Sequence, residues 1–427
     1  MFKYAIKILK VFYRRVLLSI AFYPVLISLG FFLLALIVLE LESWELAETL
    51  KERVPYLFIK DYETARAILT TLIGGILSLT VFSFTMVMVV LSQASSNFSP
   101  RLLPSLVSNK RHQLILGVYI GTLLYCIIIL IVLGANNIET HSVGFPTMLA
   151  AISGVFCIGL FVYFIHSIST SIQIQNIIDN IFRSSSRSLD KDYEDSSNLK
   201  VGLQEFRMDD FETIYSHKSG YYKGFDNSLL SDSLVEHCHQ IEILPYVGSH
   251  VWEGMPLLKV QNMIEDGDLE DLLLCVNISS NRSDQNEGFD GVIKLMEIAV
   301  KAMSPGINDP GTAIDAINRL APLLVKILRF PNKTSSSVKE GKIIIVRTNV
   351  SAKELMQAII QPIRLYAKKD SSVVLALLGA LKFMVQDVKI SKENKEEVQM
   401  ELQALKIDIV DSIENIYDRE RIVAMFE

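Results

Sequence analysis

Thr71, Ser78, Thr85 and Ser92 recur every seven residues within Ala67–Pro100, a stretch of 34 residues that contains no charge. Seven residues are close to two helical turns, so in a helix the four hydroxyls share one face. In lipid such a face, with Gly74, Gly75 and Ser83 nearby, either packs tightly on another helix or lines a wet path. Gln93 and Asn97 extend the polar character of this end, Ser92-Gln-Ala-Ser-Ser-Asn97. In an oligomer they would ring the inner mouth, where a hydrated ion could meet them.

A second group is Arg282, Glu287, Asn308 and Asp309, which flank one helix and its following turn. Gathered together, they would form a polar pocket for a small ligand. The same residues also make sense as a capped, salt-bridged turn. In Ser304-Pro-Gly-Ile-Asn-Asp-Pro-Gly-Thr-Ala313 one helix stops at Pro305-Gly306 and another begins. Asp309 suits the N-cap, and Pro310 suits the first helical position, where a missing N–H costs nothing.

Other chemistry finds less support. Glu236-His-Cys-His239, with His217, His250 and Cys275 elsewhere, suggests a metal. On a strand, however, His237 and His239 point one way and Cys238 the other, and no spaced Cys/His pairs complete a zinc pattern. No metal and no other cofactor is expected. There is no phosphate-binding loop, nucleophile elbow, zinc-protease or dinucleotide fingerprint, so no catalytic residue is assigned.

The elements that position these groups follow from the charge distribution. The chain has 427 residues, 50% hydrophobic and 21% charged. Residues 1–169 hold 12 Lys/Arg and 8 Asp/Glu, whereas 170–427 hold 29 and 39. A membrane half precedes a soluble, acidic half, which excludes a disordered chain, a secreted disulfide scaffold and a cytosolic enzyme. The charge-free runs Val16–Leu39, Ala67–Pro100, His112–Ile138 and Thr140–Ile178 predict spans near 16–39, 66–93, 113–134 and 146–168. The first is too long for a cleaved signal, lacks a small-residue cleavage site and is followed by more spans. As a helix the second run would be about 51 Å long against a hydrocarbon core of roughly 30 Å, so it should project past the bilayer and stop before Pro100. Gly117-x-x-x-Gly121 predicts close packing of the third span. No Asp, Glu, Lys or Arg lies mid-span, which ranks a coupled transporter below a passive pore.

Lys3, Lys7, Lys10, Arg14 and Arg15 precede the first span, and Arg101, Lys110 and Arg111 lie between the second and third. Lys51, Arg53 and Lys60 oppose them, and the loop after the third span has no base. The balance places both termini in the cytoplasm of an inner (plasma) membrane. No disulfide is expected of Cys126, Cys157, Cys238 and Cys275. The acidic tail excludes a nucleic-acid partner, which needs a clustered basic face.

The soluble half predicts a helical extension and linker over 170–200, with Ser184–Ser188 and Asp190–Asn198 as the joint. Short strands follow over 201–280, at 211–215, 220–225, 241–244, 256–260 and 272–278, with acid-rich Glu265–Asp271 as a solvated loop. Residues 281–427 read as helices near 289–303, 310–329, 351–368, 372–387 and 392–417, with a lone strand at 342–347. The fold class is therefore a four-span membrane protein with a cytoplasmic α+β domain, part β-rich and part helical.

Three stretches carry a likeness to a known family. They are Phe82-Ser83 with Ser92–Arg101, Gly220-Tyr221 through Gly248–Gly254, and Ala302-Met-Ser-Pro-Gly-Ile-Asn-Asp-Pro-Gly-Thr-Ala313. Together they resemble a bacterial multipass family catalogued as domain of unknown function 2254. Arg282-Ser283 and Glu287 stand where that family's Arg-Thr pair and acid are expected, with Ser in place of Thr and Glu in place of Asp. The resemblance implies a four-span bacterial inner-membrane protein with a cytoplasmic domain, and it supplies no activity.

Two functions follow as expectations. The leading one is a homo-oligomeric, channel-like assembly in the lipid bilayer, gated by the cytoplasmic domain, with the permeant ion or small-molecule ligand unnamed. The alternative is a non-conducting sensor or scaffold whose cytoplasmic domain binds a small ligand or a protein partner.

Overall fold

The computed structural model describes residues 19, 21–41, 59, 61–97, 110–135, 144–171, 173–197, 211–230, 238, 240–261, 266–280, 287–338 and 343–426. They fall into two units, Met1–Ser96 with Leu102–Gln173 and Asn97–Arg101 with Ile174–Glu427.

The first unit holds four apolar helices long enough to span a membrane, α1 (Phe22–Leu41), α2 (Tyr62–Asn97), α3 (Lys110–Ala135) and α4 (Gly144–Ser171). The start expected for the first span, residue 16, lies outside the described residues. Asp61 caps α2, its carboxylate accepting from the Thr64 amide at 2.9 Å and the Thr64 hydroxyl at 2.6 Å. α2 then runs for 36 residues without a break, about 54 Å at the helical rise, and ends before Pro100 as expected. Small residues set the approach of α3 to α1. A Cβ added at Gly117 would lie 2.8 Å from Ile27, and one at Gly121 would lie 2.6 Å from Phe31. The Gly117-x-x-x-Gly121 spacing thus serves the close packing that it predicts. Ala65, Leu69, Tyr125, Ile129 and Ala150 close one end of the bundle, and Ile76, Tyr119, Cys157 and Phe164 fill the other.

The second unit opens with α5 (Ile174–Ser197). Residues 184–197, expected as a linker, belong to this helix. Ile177, Ile178, Ser185 and Leu189 form a buried stripe that serine-rich composition conceals. α5 packs on α7 (Glu287–Ala302) and α8 (Pro310–Leu328). The contact is close at Gly291, where a Cβ would fall 1.7 Å from the Ser185 hydroxyl oxygen. Asp179 pairs with Arg319 at 2.9 Å, and Asp190 with Lys326 at 2.5 Å, on the same face.

The strands are β1 (Phe211–Tyr215), β2 (Gly220–Phe225), β3 (Gln240–Ile243), β4 (His250–Val251), β5 (Pro256–Gln261), β6 (Val276–Ser279), β7 (Lys333–Val338) and β8 (Ile343–Thr348). They make a five-stranded sheet in the order β1-β5-β3-β8-β7 and a three-stranded sheet β4-β2-β6. Only the β3–β8 pairing of the larger sheet is parallel. Ile241, Ile243, Leu258, Val260, Ile343 and Ile345 supply its buried face.

Two expectations are corrected here. The acid-rich loop and the start of the strand at 272 are a helix, α6 (Asp266–Cys275), because Leu269, Leu272 and Leu273 recur at helical spacing and pack on the sheet core. The strand near 342–347 is not alone: β7, Lys-Thr-Ser-Ser-Ser-Val, pairs antiparallel with it from Lys333↔Thr348 to Val338↔Ile343.

The remaining chain is α9 (Ala352–Leu355), a π-turn (Met356–Ile360), α10 (Gln361–Ala367), α11 (Ser371–Gln386), α12 (Lys392–Ser412) and α13 (Ile416–Ala424). Leu295, Ile298, Leu320, Leu324, Ile359, Leu377, Leu381 and Leu405 are fully buried in this helical part. The helix expected over 392–417 breaks after Ser412, and Asn415 caps α13 through the Tyr417 and Asp418 amides.

Candidate functional site

The hydroxyl face of α2 points out of the chain. Thr71, Ser78, Thr85, Ser92 and Gln93 are exposed, and a Cβ added at Gly74 or Gly75 meets nothing within 4 Å. Three of the four hydroxyls are satisfied by their own helix. Thr71 donates to the Ala67 carbonyl at 2.8 Å, Ser78 to Gly74 at 2.9 Å and Thr85 to Val81 at 2.9 Å. This is how a hydroxyl sits in lipid without leaving an unsatisfied donor. Asn97 ends the helix, and its side chain is outside the described set. Among the described residues of one chain, then, the stripe neither packs against another span nor lines a passage.

The polar groups inside the bundle are different ones. Ser83, Tyr119 and Thr122 are buried; Thr122 accepts from the Cys157 thiol at 3.6 Å, and Tyr125 donates to the Pro146 carbonyl at 3.0 Å. The seven-residue rhythm draws attention to Thr85 and away from Ser83, which lies two residues, about 200°, around the helix.

In the second unit the signature turn is a cap. Asp309 accepts from the Thr312 amide at 3.1 Å and the Thr312 hydroxyl at 2.6 Å, with Pro310 in the first turn. The Asp309 amide returns to the Ala302 carbonyl at 2.8 Å, closing the loop between α7 and α8. Asn308 bridges them at φ 48°, a left-handed conformation that Asn tolerates better than most residues. The Thr312 hydroxyl and amide hold the Asp309 carboxyl below its ordinary range. Asn308 and Asp309 are exposed. Glu287 begins α7, and the turn follows its other end 16 residues on, about 24 Å away along the axis. The structure therefore does not bring Glu287 to the turn, and Arg282 lies outside the described residues.

Cys238, from the stretch weighed as a metal site, is buried and donates to the Gln240 carbonyl at 3.2 Å. Burial pushes its thiol up to about 11, which disfavours the thiolate that a metal requires. Glu236, His237 and His239 lie outside the described residues.

A concave site among the described residues is one the sequence does not signal. A cavity of about 450 Å³ opens between the β7–β8 edge, the loop after β3, and α5, α7 and α8. Tyr246, Val247, Phe289 and Phe330 line its apolar side, and Tyr246 and Phe289 meet edge to face at 6.2 Å. Tyr222, Thr334, Ser336, Arg347 and Asn349 supply polar groups. Such size and composition match small-molecule sites. Arg347 lies one residue before the end of the apolar strand β8 and donates to the Ser336 hydroxyl at 2.5 Å and the Asn227 side-chain oxygen at 3.2 Å. Burial lowers its guanidinium below the ordinary value, with neighbouring Tyr222 opposing that shift, and burial raises the Tyr222 phenol. An arginine closing a run of isoleucines looks like any strand end. Only the return of β7 and β2 around it makes a site.

Fold and sites together define a class: a membrane protein with four spanning helices and an α+β domain that carries a ligand-sized cavity. More narrowly, the chain belongs to the predicted membrane proteins of domain-of-unknown-function family 2254, whose model matches residues 18–382. It is similar to uncharacterized proteins of Mycobacterium bovis and of two strains of Mycobacterium tuberculosis, each 25% identical over 339 residues. The match covers 75% of this chain and 62% of each relative, so the chain spans less than two thirds of their length. No solved structure matches.

Proposed function

We propose that this protein is a membrane-anchored sensor. The spans fix it in the inner membrane with both termini cytoplasmic, and the α+β domain binds a small molecule in the cavity beside Arg347. The cavity of about 450 Å³ carries this proposal: among the described residues it is lined by packed aromatic groups and a few convergent polar ones. Its lining contains no Cys, His, Asp or Glu to serve as a strong nucleophile or base, which favours binding over catalysis. The basic residues before α1 and between α2 and α3 favour the cytoplasmic side for both termini.

Native mass spectrometry of the full-length protein released from lipid tests this function. Wild type should retain a small molecule, and Val247→Trp, which fills the cavity, should lose it while keeping the same thermal transition. Equal retention by both would place any ligand elsewhere.

The second function, a homo-oligomeric conducting assembly, is favoured by one observation. The small-residue and hydroxyl face of α2 is exposed along its described length, so a second copy has room to approach. Discrete conductance in planar bilayers, altered by Ser78→Leu, would favour it. Silent bilayers from well-folded protein favour the sensor.

A further inference from the structure

The cavity holds a charge without an opposite. Arg347 is the only Lys, Arg, Asp or Glu among the lining residues, and no carboxylate among the described residues pairs with it. The other arginines drawn into the helical part are matched, Arg364 by Glu401 and Asp408, and Arg329 by Asp387. A guanidinium stays protonated in proteins, and removing one from water without a counter-charge is costly. Its two neutral acceptors, Ser336 and Asn227, orient the planar group but bring no negative charge. They use two of its five N–H donors. Thr334 sits directly across the β7–β8 ladder from Arg347, and the Tyr222 phenol stands beside it. Phe289, Phe330 and Tyr246 line the same cavity.

We propose that the cavity binds a small organic anion, with its carboxylate or phosphate on Arg347 and its apolar body against Phe289 and Phe330. This rests on the cavity being the ligand site proposed above. The fork of a guanidinium matches the paired oxygens of either headgroup, and the anion completes a charge pair that the fold leaves open. The aromatic side gives preference to anions that carry a ring or a short chain over inorganic phosphate.

Isothermal titration of the full-length protein in lipid nanodiscs tests this, with empty nanodiscs as the reference. The probes are 1-naphthoate, phenyl phosphate and the uncharged 1-naphthalenemethanol. At least one anion should bind with 1:1 stoichiometry, at least tenfold tighter than the alcohol, and Arg347→Gln should weaken it at least tenfold. Preference between naphthoate and phenyl phosphate identifies the headgroup. If Arg347→Gln does not fold, Thr334→Glu decides. It places a carboxylate across the ladder within reach of the guanidinium, and should weaken the anion at least tenfold more than it weakens the alcohol. Equal binding of anions and alcohol, unaffected by either variant, would overturn the charge assignment and leave the cavity a binding site. No binding by any probe would overturn both.

Discussion

At the residue scale, Asp309 and Arg347 show how charge is used in two ways. Asp309 is exposed and acts locally, satisfying the first free donors of α8. Asp309→Ala should cost about 1 kcal/mol through loss of the cap, a fall of about 3 °C in the thermal midpoint of this unit. The pH dependence has a definite sign. The folded-state pKa lies below the unfolded value, so the cap's electrostatic contribution is present above about pH 5 and is lost as pH falls through the folded value. The gap between wild type and Asp309→Ala, followed by circular dichroism, should therefore narrow below about pH 4. A gap that widened on acidification would contradict the cap. Arg347, by contrast, acts through what it lacks. Its hydrogen bonds are neutral and its partial burial is unrelieved by a carboxylate among the described residues.

At the scale of elements, α2 separates the two proposed functions. Thr71, Ser78 and Thr85 donate to their own backbone and face outward, as a lipid-facing or self-associating helix requires. With the four native cysteines replaced, single cysteines at 78, 85, 92 and 97 should react with a water-soluble thiol reagent only at 97, which ends the helix. Labelling at all four would reveal a wet path and move the account to conduction. Element types were legible wherever composition and period agreed. The four spans follow from charge-free runs, and β1 and β2 from short apolar segments between turn residues. α6 was hidden because its acids outnumber the three leucines that bury it. β7 was hidden because Lys-Thr-Ser-Ser-Ser-Val has no apolar alternation, and its strand exists through pairing with β8. The serines of α5 read as a joint because Ile178, Ser185 and Leu189 act against α7 and α8, which arrive about a hundred residues later.

For the whole molecule, the same distinction explains which candidate site could be read in advance. The Asn308-Asp309-Pro310 turn is local in sequence, and its capping role follows from residue type and spacing alone. The cavity joins Leu189 of α5, Tyr222 of β2, Phe289 of α7 and Arg347 of β8, groups that no short motif holds together. Its charge imbalance exists only once the chain has folded. The central claim is that the α+β domain is a ligand-binding module on a membrane anchor, and hydrogen exchange tests it most directly. Full-length protein in nanodiscs, with and without saturating 1-naphthoate, should show slowed amide exchange in β7, β8 and the loop Pro245–Val247, and unchanged exchange in α2 and α3. Exchange that stays the same throughout β7, β8 and that loop, or that slows only in the spans, would contradict the account.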